Sequence, residues 1–80
     1  MNININVYLN VRDTNFYQSG SFPVWNSDFK KDPDWTAAIA AYEWIQQINK
    51  NMGTSVNIVQ VIYNEENDIT ELVKKVKPIF

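Results

Sequence analysis

Residues 2–12 constrain this chain more than any other stretch. Ile3, Ile5, Val7, Leu9 and Val11 alternate with Asn2, Asn4, Asn6, Tyr8, Asn10 and Arg12. A strict period of two places the aliphatic side chains on one side of an extended backbone and the polar ones on the other. Such a strand needs an apolar layer against one face and tolerates water on the other. That requirement excludes an all-helical bundle and calls for helices elsewhere in the sequence to cover the aliphatic face.

The helices can be read from their boundaries. Asp32-Pro33-Asp34 is a start signal. An Asp side chain can accept a free backbone N–H at the N-cap, and Pro at the first helical position gives up an N–H that has no intrahelical partner. The spacing of Trp35, Ala38, Ile39, Tyr42, Ile45 and Ile48 or Asn49 predicts a helix over about 33–50, with Ala37, Ala41 and Trp44 widening its apolar arc and Gly53 at its C-terminal end. The stripe leads us to expect Trp35, Tyr42 and Trp44 in the core. Asp68-Ile69-Thr70-Glu71 resembles a capping box, and Ile69, Leu72, Val73 and Val76 continue at i, i+3, i+4, i+7, so a short amphipathic helix follows and Pro78 stops it.

Two further strands complete the reading. Residues 13–20 are rich in turn formers, and an edge or bulged strand lies within 15–25, using Phe16, Phe22, Val24 or Trp25 and interrupted by Gly20 and Pro23. Residues 54–63 form a third strand, with Val56, Ile58 and Ile62 on one face and Val59, Val61 and Tyr63 on the other, which suggests a strand covered on both sides. The expected architecture is one α+β domain over residues 1–80. It has the order β-β-α-β-α, a three-stranded, mainly antiparallel sheet of order 2-1-3, and two helices on one face.

Composition removes several functions. Eighty residues bury only a thin core, yet three Trp, four Phe and four Tyr supply enough apolar surface for one. The chain has no cysteine and no histidine, so disulfides, thiolate metal sites, thiol catalysis and imidazole acid–base chemistry are all absent. No Gly-rich phosphate loop occurs, and the motifs of serine nucleophiles are missing. Glu65-Glu66-Asn67-Asp68 lacks the spacing and the central Gly of a calcium loop. The expectation is therefore a non-enzymatic protein with no cofactor and no metal. A net charge of −2, with seven basic residues, argues against nucleic acid as the partner. Lys30, Lys31, Lys74, Lys75 and Lys77 are the residues from which a basic patch would have to be built. No apolar run approaches a membrane span and no leader pattern is evident, so a cytoplasmic location is expected.

The topology makes a prediction about charge. Strands two and three would end at one edge of the sheet, and both helices would start there. Asp28, Asp32 and Asp34 would then meet Glu65, Glu66 and Asp68, while Lys50, Lys74, Lys75 and Lys77 gather at the opposite end. Two readings stand side by side. Acidic residues at helix N-termini and lysines at C-termini oppose the helix dipole and need no further purpose; alternatively, the six carboxylates face a partner with a basic surface. The aromatics Phe16, Tyr17, Phe22 and Trp25 divide in the same way, between a lid over the open sheet face and anchors of a protein interface. The polar face of the first strand and the open sheet edges also make a homodimer an expected arrangement.

In size, mild acidity, Asn/Ile/Lys-rich composition and lack of catalytic residues, the chain resembles the small anti-defence inhibitors of phages and mobile elements, of the anti-CRISPR and anti-restriction type. The resemblance is one of format. It implies a small inhibitor or adaptor, made in the host cytoplasm, that blocks a host defence complex by direct binding. The candidate partner-binding residues are Phe16, Tyr17, Trp25, Asp28, Asp32, Asp34, Glu65, Glu66 and Asp68. The alternative is a self-associating structural or assembly subunit.

Overall fold

The computed structural model describes residues 1–53 and 56–76. The chain folds as α+β, in the order β1 (Asn2–Val11), β2 (Thr14–Pro23), α1 (Asn26–Lys31), α2 (Pro33–Met52), β3 (Asn57–Tyr63), β4 (Asn67–Asp68) and α3 (Thr70–Lys75). The sheet is antiparallel throughout, with order β2-β1-β3-β4. The expected 2-1-3 arrangement holds, extended by a two-residue edge strand and by a short helix before α2. Neither addition has a period long enough to read from sequence.

The period-two signal in β1 becomes the core. Ile3, Ile5, Val7 and Leu9 are fully buried beneath Ala37, Ala38, Ala41, Ile45 and Ile48 of α2, with Val61, Tyr63, Ile69, Val73 and Val76 completing the cluster. The helix meets the sheet through alanines, whose small side chains permit a close approach. This corrects the expected core stripe of α2. Trp44 is half-buried against Phe22, with ring centroids 4.7 Å apart, and Tyr42 packs at the rim of the core. Trp35 stays 41 % exposed and Ile39 is exposed beside it. The alanine face, rather than the largest residues, points at the sheet.

The boundaries of α2 match their signals. The Asp32 carboxylate accepts the Trp35 N–H at 3.1 Å, Pro33 opens the helix, and Gly53 closes it in the left-handed conformation at φ 67°. In α3 the cap differs from a capping box. The Asp68 carboxylate accepts both the Thr70 N–H (2.9 Å) and the Thr70 hydroxyl (2.6 Å). The helix ends at Lys75, before Pro78; the expected stop at Pro78 lies outside the described residues, as do Lys77 and the first residues of the third strand.

Two strand expectations need correction. The β1–β2 turn is not a wide loop. It is the two-residue Arg12-Asp13, both with positive φ (51° and 66°), the primed geometry whose twist matches a hairpin. From it β2 runs ten residues in unbroken register, Val11↔Thr14 through Asn2↔Pro23. Gly20 does not interrupt the strand. A Cβ there would come within 2.9 Å of the Phe22 ring and 3.4 Å of Trp44, so glycine makes room for that aromatic pair. In β3 the register shifts, from Tyr8↔Gln60 to Leu9↔Ile58, leaving Val59 as a bulged extra residue. The bulge inverts the alternation. Ile58 therefore shares the inner face with Val61 and Tyr63, while Ile62 lies on the outer face opposite Asn6 and Val59 is exposed. Among the described residues no element covers the outer face, where Tyr8, Tyr17 and Val59 are exposed, so β3 is not the doubly covered strand expected.

Candidate functional site

One hydrogen bond joins the start of α2, where Asp32 and Asp34 lie, to the end of β3. The Tyr63 hydroxyl, at the C-terminal end of β3, donates to Asp34 in the first turn of α2. This ties the start of α2 to the strand end from which Glu65 and Glu66 follow. Burial of the Tyr63 phenol, its hydrogen bond to Asp34 and the charges of Asp34 and Asp32 push its pKa up to about 12. Asn64 extends the same edge: its N–H donates to the Asn4 carbonyl (2.8 Å), and its side-chain oxygen accepts the Asn4 N–H (3.1 Å).

The six acidic residues have unequal roles. Asp32 caps α2, and Asp34 holds Tyr63. Asp68 accepts from Thr70 twice and from the Gln60 side chain at 3.0 Å. The Thr70 bonds and the Gln60 bond hold its carboxyl at about 2, below the usual carboxylate range. Asp28, Glu65 and Glu66 are exposed. Asp28 contributes to the fold through its backbone carbonyl, which accepts the Asp32 N–H and the Thr36 hydroxyl and so clamps α1 against α2.

The tryptophans frame this end. A shallow groove of about 360 Å³ between α1 and α2 is lined by Asp28, Lys31, Asp32, Trp35, Thr36 and Ile39. A second groove is formed by Met1, Pro23, Val24 and Trp25. Trp25 precedes Asp28 by one turn at the start of α1 and is 79 % exposed. Exposed tryptophans beside carboxylates form an amphipathic surface, apolar in area and acidic in charge.

The other expected aromatics lie elsewhere. Phe16 pairs with Leu9 near the hairpin turn and packs half-buried on the core. Tyr17 is exposed on the outer face against Tyr8, with centroids 4.9 Å apart. The expected site is therefore divided, with Trp25 at the acidic end, Tyr17 on the outer face and Phe16 at the far end of the core. Trp35 and Ile39 were missed as surface residues. The available signal was Ala37, Ala38 and Ala41, which mark the inward face one step around the helix. The lysines separate too. Lys30 and Lys31 end α1 at the acidic end, whereas Lys50, Lys74 and Lys75 end α2 and α3, so these five do not form one patch.

Among the described residues no group of three or more His, Cys, Asp or Glu is placed to hold a metal ion. None of their helices is long and apolar enough to cross a membrane. Comparison with family models, curated proteins and solved structures returns no match, so the site is read from its own geometry.

Proposed function

We propose that this chain is a non-enzymatic protein-binding module, an inhibitor or adaptor whose contact surface is the acidic end carrying Trp25, Trp35, Ile39, Asp28, Glu65 and Glu66. The observation that carries this reading is the exposure of Trp25 and Trp35, each lining a groove, with Asp28 and Asp32 on the rim of the Trp35 groove. Tryptophan is the side chain most enriched among interface hot spots, and an acidic rim steers a basic partner and rejects acidic ones. The format resemblance to anti-defence inhibitors directs the search for that partner to host defence complexes in the cytoplasm.

The test is a paired affinity capture from host lysate, with the unaltered chain and a Trp25→Ala/Trp35→Ala variant of matched thermal stability as baits. The expected result is one stoichiometric partner retained by the first and lost by the second, with Asp28→Asn/Glu65→Gln/Glu66→Gln slowing association in low salt. Equal capture by all three baits would reject the surface. A second reading, self-assembly, is favoured by one observation: among the described residues no strand pairs with the long β2 edge of the sheet.

A further inference from the structure

The backbone of β2 can be assigned bond by bond. The Val24 N–H donates to the Met1 carbonyl at 2.8 Å. In an antiparallel ladder, hydrogen-bonded and non-hydrogen-bonded pairs alternate. With the register Ile3↔Phe22, Ile5↔Gly20, Val7↔Gln18, Leu9↔Phe16 and Val11↔Thr14 continuing from that pair, residues 14, 16, 18, 20 and 22 spend their backbone groups on β1. Asn15, Tyr17, Ser19 and Ser21 therefore direct both N–H and C=O outward, along an edge that no other strand among the described residues joins.

This edge lacks the usual protections. Edge strands are normally short, bulged, or interrupted by Lys, by Pro or by an inward charge. β2 is ten residues long, its register is unbroken, and the segment Thr14–Pro23 contains no charged residue; its one Pro is the last residue. Beside it runs apolar surface. Half-buried Phe16 lies on the strand itself, and half-buried Phe22 and Trp44 and exposed Met52 line grooves beside it.

We infer that β2 pairs antiparallel with β2 of a second copy of this chain, about a two-fold axis at Gln18, to make one continuous eight-stranded sheet. A second copy fits because the strand is complementary to itself. Centred on Gln18, Asn15 faces Ser21 of the other copy and Tyr17 faces its Ser19, so every outward N–H and C=O of these four residues finds a partner. No charges oppose each other across the pair, a condition an edge bearing Lys or Glu would fail. On the inner face Phe16 lies opposite Gly20 of the other copy, next to the Phe22 and Trp44 rings that Gly20 accommodates. The axis brings the two α2 helices alongside each other through their Trp44 flanks. The inference deepens the self-assembly reading by naming its surface and register. It leaves the Trp35–Ile39 groove, on the α1 side of α2, uncovered.

The experiment uses the full chain. Sedimentation velocity of the unaltered protein across a micromolar concentration series is expected to give a dimer. Ser19→Pro removes one outward N–H that β1 does not use, so two bonds vanish per dimer and dissociation should rise about tenfold or more. Gln18→Cys supplies an independent readout in a chain with no native cysteine. Facing residues of a non-hydrogen-bonded pair lie about 4.5 Å apart at Cα, within disulfide reach, so mild oxidation should link two chains quantitatively. A monomer at every concentration would overturn both the inference and the self-assembly reading. A dimer in which Gln18→Cys stays unlinked would overturn the inference alone and point to another surface, even if Ser19→Pro failed to fold.

Discussion

The two edges of the sheet are built on opposite plans. On the β3 side the backbone is closed off within a few residues. The Val61 carbonyl accepts the Ile69 N–H at 2.9 Å, and the Val61 N–H donates to the Thr70 hydroxyl at 2.9 Å. Asn67 donates its side-chain amide to the Tyr63 carbonyl. A bulge at Val59 and a two-residue β4 leave little extended backbone on that side. On the β2 side ten residues run in unbroken register, with no strand among the described residues on their outer edge. One sheet can thus contain an edge closed by side chains and an edge with open backbone, and the difference lies in the bulge within β3 and in the residues that follow it.

The largest expected effect breaks the sealed edge. Thr70→Val keeps the shape but removes the hydroxyl that accepts from buried Val61 and donates to Asp68. An unsatisfied buried N–H costs about 1–3 kcal/mol, so urea unfolding should show a loss near 2 kcal/mol, and amide exchange should accelerate at Val61 before β1. Next, Gly20→Val on the open side forces Phe22 and Trp44 apart. Overpacking of this kind costs about 1–3 kcal/mol, and the disturbed Trp44 should be visible in near-ultraviolet circular dichroism. Tyr63→Phe is smaller, about 1 kcal/mol for one hydrogen bond, and has a pH signature. The Tyr63 pKa is raised from 10 to about 12, so its contribution is complete below pH 10 and is lost as pH rises to 12; the variant should lack that alkaline decline. The smallest effect is at exposed Asp68. Its pKa is lowered from 3.8 to about 2, so its contribution is present above pH 4 and disappears as pH falls through 2. Asp68→Asn should flatten that acid limb of a thermal-melting profile, melting slightly lower than the unaltered chain at neutral pH and converging with it as pH falls through 2.

The contrast between the edges also explains what could be read from the sequence. The central strand was legible because it is buried on one side only, which writes a two-residue period into Ile3 through Val11. The long helix was legible because Asp32, Pro33 and Gly53 act locally, through caps that need no tertiary partner. β2 read as irregular because its inner face carries Gly20 and Gln18 between Phe16 and Phe22, a pattern set by the Trp44 ring above it. The turn was hidden because Arg12-Asp13 holds positive φ without the Asn-Gly signature that marks such turns. The faces of β3 were inverted because nothing in Ile58-Val59-Gln60 distinguishes a bulge from a continuous strand. Of the site, the approach of the start of α2 to the end of β3 followed from topology alone. The outward position of Trp35 did not, since an apolar arc this wide can be docked by either of its sides.

That docking through Ala37, Ala38 and Ala41 separates two kinds of information in the chain. The fold is written in small and aliphatic residues that contact one another, and the outward surface in large residues that contact little. Surface substitutions away from caps and packed contacts usually change stability by less than about 0.5 kcal/mol. Trp25, Ile39, Glu65 and Glu66 can therefore be exchanged with small structural consequence, while a single enlarged alanine would lift the helix. The outward surface of this scaffold is thus free to vary in sequence while the alanine-to-sheet contact holds its shape.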